Sequence, residues 1–137
     1  MRHVLSITAH ADDIDALGHI SNVVYVRWVL EVAVSHADAV GWPAAAWRAL
    51  GAIVVVRRHE IDYLVPVLEG ERIDLETWID SWRAASLIRR TAMRRQRDGV
   101  EIARAATTWA FIDMASGRPR RIPEELRQAF GGAPVGA

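Results

Sequence analysis

The residue types best suited to chemistry gather in one short run, His10, Asp12, Asp13, Asp15, His19, Ser21 and Asn22, directly ahead of a long apolar segment. Carboxylates and imidazoles can move protons or attack a carbonyl carbon. The start of a helix adds unpaired backbone N–H groups and a partial positive charge. Such an end suits an anion, or an oxygen that turns anionic during a reaction. A carboxylate a few residues upstream can then attack, or activate water, beside that hole. On the residues alone, helix capping and solvated charge account for the run at least as well.

The rest of the polar inventory is narrower. All 17 basic residues are Arg, so lysine nucleophile and Schiff-base chemistry are excluded. The absence of cysteine excludes disulfides, thiolate nucleophiles and Cys-ligated zinc. His3, His36 and His59 stand alone in sequence and read as surface or packing residues. His10, Asp13, Asp15 and His19 have ligand chemistry for a divalent ion. The arginines cluster at Arg57-Arg58, Arg89-Arg90, Arg94-Arg95 and Arg118 to Arg121. A guanidinium fork suits phosphate, although most of these clusters read as solvated strand faces paired with acids.

Elements must hold these groups in place. The chain of 137 residues fits one domain, and a chain of that size buries roughly two-thirds of its surface. With 51% hydrophobic residues and 17 Lys+Arg against 17 Asp+Glu, it reads as globular. It is neither a disordered segment nor a nucleic-acid binder. No leader-like or membrane-spanning segment is visible, so the cytoplasm is the default location.

Val4 to Thr8 reads as a strand, and the acidic run as a loop. Ser21 or Asn22 can cap a helix running to about Val40, closed by Gly41. Arg27, Glu31, Ser35 and Asp38 form one narrow polar stripe on that helix; nearly everything else is apolar, so the helix should be surrounded. Pro43 to Leu50 reads as a second, short helix. Four long strands follow, roughly 52–63, 72–83, 86–97 and 101–113. In the second, Ile73, Leu75, Thr77 and Ile79 alternate with charged residues, and Trp78 and Trp82 fall on the charged face. In the fourth, Ala103, Ala105, Thr107, Trp109 and Phe111 share a face. Asp98-Gly99 signals a two-residue hairpin. Pro123 to Phe130 reads as a terminal helix and Gly131 to Ala137 as a frayed tail. The architecture is α+β: a strand, a long helix, then an antiparallel meander whose curved sheet wraps that helix. The open sheet edges and exposed Trp suggest that a second subunit covers part of it.

The run Asp13-Ile-Asp15-Ala-Leu-Gly18-His19-Ile-Ser-Asn22-Val-Val-Tyr25-Val-Arg27-Trp28 resembles the signature of hotdog-fold acyl-CoA thioesterases. It is most similar to the 4-hydroxybenzoyl-CoA thioesterase-like group, which includes YbgC-type and FadM-type enzymes. The resemblance continues through His59 to Pro66, Ser86, Thr108 to Asp113, Gly117, Arg118 and Pro123, and covers about residues 3 to 130. It implies a hotdog fold, with a long central helix inside a curved antiparallel sheet of about five strands. It also implies hydrolysis of acyl-CoA to a carboxylic acid and CoA, with no metal and no cofactor apart from the coenzyme A of the substrate. The expected partners are a small-molecule acyl-CoA and further copies of the chain, as dimer or tetramer, with no nucleic acid and no membrane.

By the same resemblance, Asp15 matches the catalytic carboxylate, as nucleophile or as the base that activates water. Asn22 falls where a backbone N–H polarises the thioester carbonyl. His19 matches the imidazole of the Gly-His pair, and Gly18 permits tight geometry in the loop. Tyr25 and Trp28 match helix aromatics, read as core or acyl-pocket lining. Ser86, Arg89, Arg90 and Arg120 are the remaining substrate-binding candidates, the arginines for the phosphates of CoA. Ser21 replaces a frequent Asn, and Gly70-Glu71 replaces Gly-Asp. Plant-type acyl-ACP thioesterases share part of the pattern, but Leu17 and Pro66-Val67 stand where their other site residues would be. A hotdog hydratase is a further enzymatic alternative, and a non-catalytic acyl-CoA-binding module is the alternative from another class.

Overall fold

The computed structural model describes residues 1–132; the last five residues of the expected tail, 133–137, lie outside the described residues. The strands are β1 (His3–Thr8), β2 (Ala52–Tyr63), β3 (Arg72–Trp82), β4 (Ser86–Arg95) and β5 (Glu101–Asp113). The helices are α1 (Asn22–Ala39), α2 (Ala44–Leu50) and α3 (Glu124–Ala129), and a 3₁₀ turn spans Ala11–Asp13. All strand pairs are antiparallel, in the order β1-β3-β4-β5-β2. β1 is strongly separated in sequence from its partner β3, with Leu5 opposite Leu75. Only β3, β4 and β5 form a meander: β2, expected to come first in a four-strand meander, crosses over to pair with β5 at one edge, and β1 takes the place beside β3 at the other.

α1 is rich in Val, a modest helix former, so packing holds it. Val24, Tyr25, Trp28, Val29, Val32, Ala33 and His36 turn inward. They meet Ile73, Leu75, Met93, Ala103 and Ala105 from the concave face of the sheet. Each large apolar side chain fully buried this way contributes roughly 1.5–3 kcal/mol. A second core lies toward the other end, where α2 and α3 pack on Ala52, Leu87 and Phe111.

Four further expectations are corrected. The helix is not surrounded within one protomer: Val23 is 73% exposed and Val34 61%, because a single sheet covers only one side of a helix. Ser21 occupies the N-cap position of α1 but its hydroxyl makes no capping bond. The Asp98-Gly99 hairpin is longer than two residues; Arg95 N–H bonds Val100 O, and Asp98 takes both the Arg95 guanidinium and Val100 N–H. Trp82 is not on the charged face. A bulge places Ile79 opposite Arg89 and Ser81 opposite Ile88, so Asp80 is extra and Trp82 turns inward onto Phe130. Trp78, before the bulge, stays on the convex face under the guanidinium of Arg2.

His3 and His36, 33 positions apart, are not isolated. Their rings stack at 5.2 Å, and His3 Nε2 meets Ser35 Oγ at 2.7 Å. The Nδ1 of His36 accepts from Arg89 Nη1 at 2.8 Å. Burial, then the neighbouring charges of Arg89, His3 and the N-terminal amine, push His36 down to about 4. The ring is therefore neutral at pH 7. An unfolded chain takes up this proton near 6.5, the ordinary value for histidine, whereas the fold does so only near 4. The stabilisation is complete above about pH 6.5 and is lost as pH falls toward 4. Lowering the pH from 7.5 to 5 should cost wild type about 2 kcal/mol more than His36→Gln, which retains an acceptor for Arg89. Urea unfolding at both pH values measures the difference, and equal losses in the two proteins would refute it.

Candidate active site

The loop ahead of α1 is built around Asp15. An antiparallel bridge joins Ile14 to Ile20. Inside it, Asp15 N–H donates to His19 O at 2.7 Å, and Gly18 N–H to Asp15 O at 3.1 Å. This turn requires φ +81° at Gly18, a left-handed conformation that costs any residue with a Cβ. The carboxylate folds back over the turn. Its Oδ1 accepts from Leu17 N–H at 2.9 Å and His19 N–H at 3.2 Å. No hydrogen bond from the described residues reaches Oδ2.

Asp13 fastens the loop to the helix: Arg27 Nη2 donates to Asp13 Oδ2 at 2.8 Å, and Ser21 N–H to Asp13 O at 2.9 Å. Arg27 also pairs with Glu31, so the polar stripe of the helix anchors the loop. On the other side Ile20 N–H donates to Val67 O at 2.8 Å, tying the helix start to the segment after β2.

These ties shape a cavity of about 390 Å³, lined by Asp15, Leu17, His19, Ile20, Ser21, Asn22, Tyr25 and the stretch Tyr63 to Pro66. The uncapped amino end of α1 opens on it. Val24 N–H returns to Ser21 O, but the N–H groups of Asn22 and Val23 have no acceptor among the described residues. Asp15, whose carboxylate has a free oxygen, and Asn22, whose amide is free at the helix start, thus line one cavity. Such an arrangement can hold a carbonyl oxygen and present a negative charge to the carbonyl carbon. Tyr25 forms the floor, edge-on to Tyr63 at 5.0 Å. Burial, followed by Tyr63, raises its phenol above the ordinary value, and Asp15 adds a smaller push in the same direction.

Of the residues expected at the site, Asp15, His19, Asn22 and Tyr25 line this cavity, and Gly18 makes the turn beneath it. Trp28 does not border the cavity; it is buried in the core against Tyr25. Ser86 begins β4 opposite Ala110, outside the cavity. Arg90 is on the convex face, paired with Asp80, and Arg120 donates to Leu50 O and Asp113. Arg89 faces the opposite way from a surface phosphate clamp: it is 4% exposed, on the concave face against His36 near the far end of α1. Tyr63, not among the residues expected at the site, also lines the cavity, and its hydroxyl donates to Asn22 O at 3.3 Å. Its place at the end of the strand preceding Pro66 was the available signal. Among the described residues no group of three or more His, Asp or Glu side chains could hold a metal ion, and no helix is long and apolar enough to cross a membrane.

Solved structures share this fold. Slr0204, a 1,4-dihydroxy-2-naphthoyl-CoA thioesterase from Synechocystis, superposes with a TM-score of 0.87 at 15% identity, covering 95% of this chain and 96% of its own. SAV2348 from Staphylococcus aureus, solved in complex with CoA, gives 0.88 at 15% identity, covering 94% and 81%. The PA5185 protein from Pseudomonas aeruginosa gives 0.84 at 24% identity, covering 93% and 88%. The five-stranded antiparallel sheet wrapped on α1 is the hotdog fold. No curated protein sequence matches the chain. The model of the thioesterase-like superfamily matches residues 9–130, which takes in the Asp15 loop, α1 and the whole meander, and the chain belongs to that superfamily.

Proposed function

We propose that the chain hydrolyses acyl-CoA thioesters, releasing the carboxylic acid and CoA. The observation that carries this reading is the pairing of Asp15 with the uncapped start of α1 in one cavity. The thioester oxygen is held by the Asn22 N–H, with the Val23 N–H beside it. Negative charge that develops there meets preorganised donors and the positive end of an 18-residue helix. Asp15 Oδ2 then acts in one of two ways. As a nucleophile it attacks the carbonyl carbon, the C–S bond breaks, and water later cleaves the acyl anhydride. As a base it takes a proton from water, whose oxygen attacks, and the thiolate leaves with a proton. An acid quench during turnover separates them, since only the nucleophile leaves acyl groups on the protein. His19 orients the substrate, and Tyr25 lines the acyl path.

CoA-linked relatives support the carrier: SAV2348 is solved with CoA, and Slr0204 acts on an aromatic acyl-CoA. A second copy of the chain belongs to the reading as well, covering the exposed Val23, Leu30 and Val34 of α1. The test is a panel of alkyl- and aryl-CoA esters with a thiol reagent. Saturable release of free CoA is expected for at least one ester. Saturable binding without thiol release would establish a binding module and overturn hydrolysis.

A further inference from the structure

Arg89 is a buried cation with no anion. It sits mid-strand in β4, between Ile79 of β3 and Thr107 of β5. Its Nη1 donates to His36 Nδ1 at 2.8 Å and to Thr77 Oγ1 at 3.2 Å, and its guanidinium lies 5.6 Å from the centre of the Phe130 ring. His36 is neutral, so none of these partners carries compensating charge. No carboxylate pairs with Arg89 among the described residues, and none of their acceptors reaches Nε or Nη2. Burial alone pulls its pKa down, to about 10, which leaves it charged at neutral pH. A buried charge without a counter-charge is among the least favourable features a fold can carry.

The guanidinium borders a cavity of about 410 Å³ between α1, α2 and the concave face of the sheet, within the size range of ligand pockets. This cavity is separate from that of Asp15, which lies at the other end of α1. Its interior is apolar, formed by residues such as Leu87, Phe111, Ile122 and Leu126. Ala44, Arg48, Val34 and Ile53 are exposed in the single chain and form the rim, with Ala44 and Arg48 on α2, apart from the α1 stripe that a second copy covers. An apolar chamber with one buried, uncompensated cation matches an apolar body that ends in a planar anion. The free Nε and Nη2 edge is the side of the guanidinium that takes two carboxylate oxygens in parallel.

We propose that this cavity binds a monocarboxylic acid, with its alkyl or aryl body among the apolar side chains and its carboxylate on the Nε and Nη2 donors of Arg89. The proposal goes beyond thioester hydrolysis and stands without it, since no group of the Asp15 cavity takes part. The test is equilibrium binding of decanoate and of decanol to the full chain, by calorimetry and by quenching of Trp fluorescence. Wild type should bind one decanoate per chain saturably and decanol at least tenfold more weakly. Arg89→Met should erase that preference. Ala44→Trp, a change at the exposed α2 side of the rim that leaves Arg89 in place, should weaken decanoate binding at least tenfold. Asp15→Asn should bind decanoate as wild type does, so loss of hydrolysis and loss of this site are read separately. Equal affinity for acid and alcohol, or no saturable decanoate binding, would overturn the proposal. Wild type and Ala44→Trp decide the matter even if Arg89→Met does not fold.

Discussion

Asp15→Asn should lower kcat/KM for any acyl-CoA that wild type cleaves by about 10³-fold or more, with the unfolding midpoint in urea unchanged. Asn has the same shape, and its amide oxygen can still accept from the N–H groups of Leu17 and His19, as Oδ1 does now. The turn therefore survives. What disappears is the negative charge on the second oxygen, the atom that must attack or take a proton. Asp15 is exposed and makes no ion pair among the described residues, so little folding energy rests on its charge; an exposed change of this kind stays within about 0.5 kcal/mol. Activity within tenfold of wild type, measured by thiol release, would remove Asp15 from the chemistry. An equal loss of activity and of folded protein would show that the charge serves the loop instead.

The loop and helix that place Asp15 were legible because their signals are local. Gly18 marks a left-handed turn, and a long apolar segment after Ser21 marks the helix. Asp98-Gly99 marks a turn between two strands, and the second and fourth long strands alternate cleanly. The missing features depend on groups far apart in sequence. Nothing in residues 78–82 marks the bulge at Asp80, because a bulge is set by register against β4; it alone sends Trp82 inward. The Val-rich outer stripe of α1 reads as buried because periodicity reports apolarity and not which neighbour supplies the cover. His3, His36 and Arg89 come from β1, α1 and β4, and only the β1-β3-β4 order brings them together. Arg89 in particular looks like half of a surface Arg pair. Alternation along β4 puts it inside and Arg90 outside, and one residue of register separates a phosphate ligand from a buried charge.

Trp28 separates core from substrate pocket more sharply than any other aromatic residue of α1. Its signature position allows both roles, whereas its surroundings are those of a core side chain: 2% exposed, tilted on Tyr25 at 5.1 Å, within the cluster of Val29, Val32, Leu75 and Met93. Tyr25, three residues earlier, borders the Asp15 cavity, and Trp28 does not. Trp28→Ala should therefore cost about 3–5 kcal/mol in urea unfolding, the range for deleting a large buried aromatic side chain and leaving a cavity. That loss is a large part of the roughly 5–15 kcal/mol available to a typical domain. Trp28→Phe fills most of the space and should cost less, while KM across an acyl-CoA series stays at wild-type values. A small loss of stability in Trp28→Ala, below about 1 kcal/mol, combined with a shifted acyl preference in Trp28→Phe, would place the indole in the acyl path. The physical distinction is simple: a side chain that only packs changes how much protein is folded, and one that touches substrate changes which thioester the folded protein prefers.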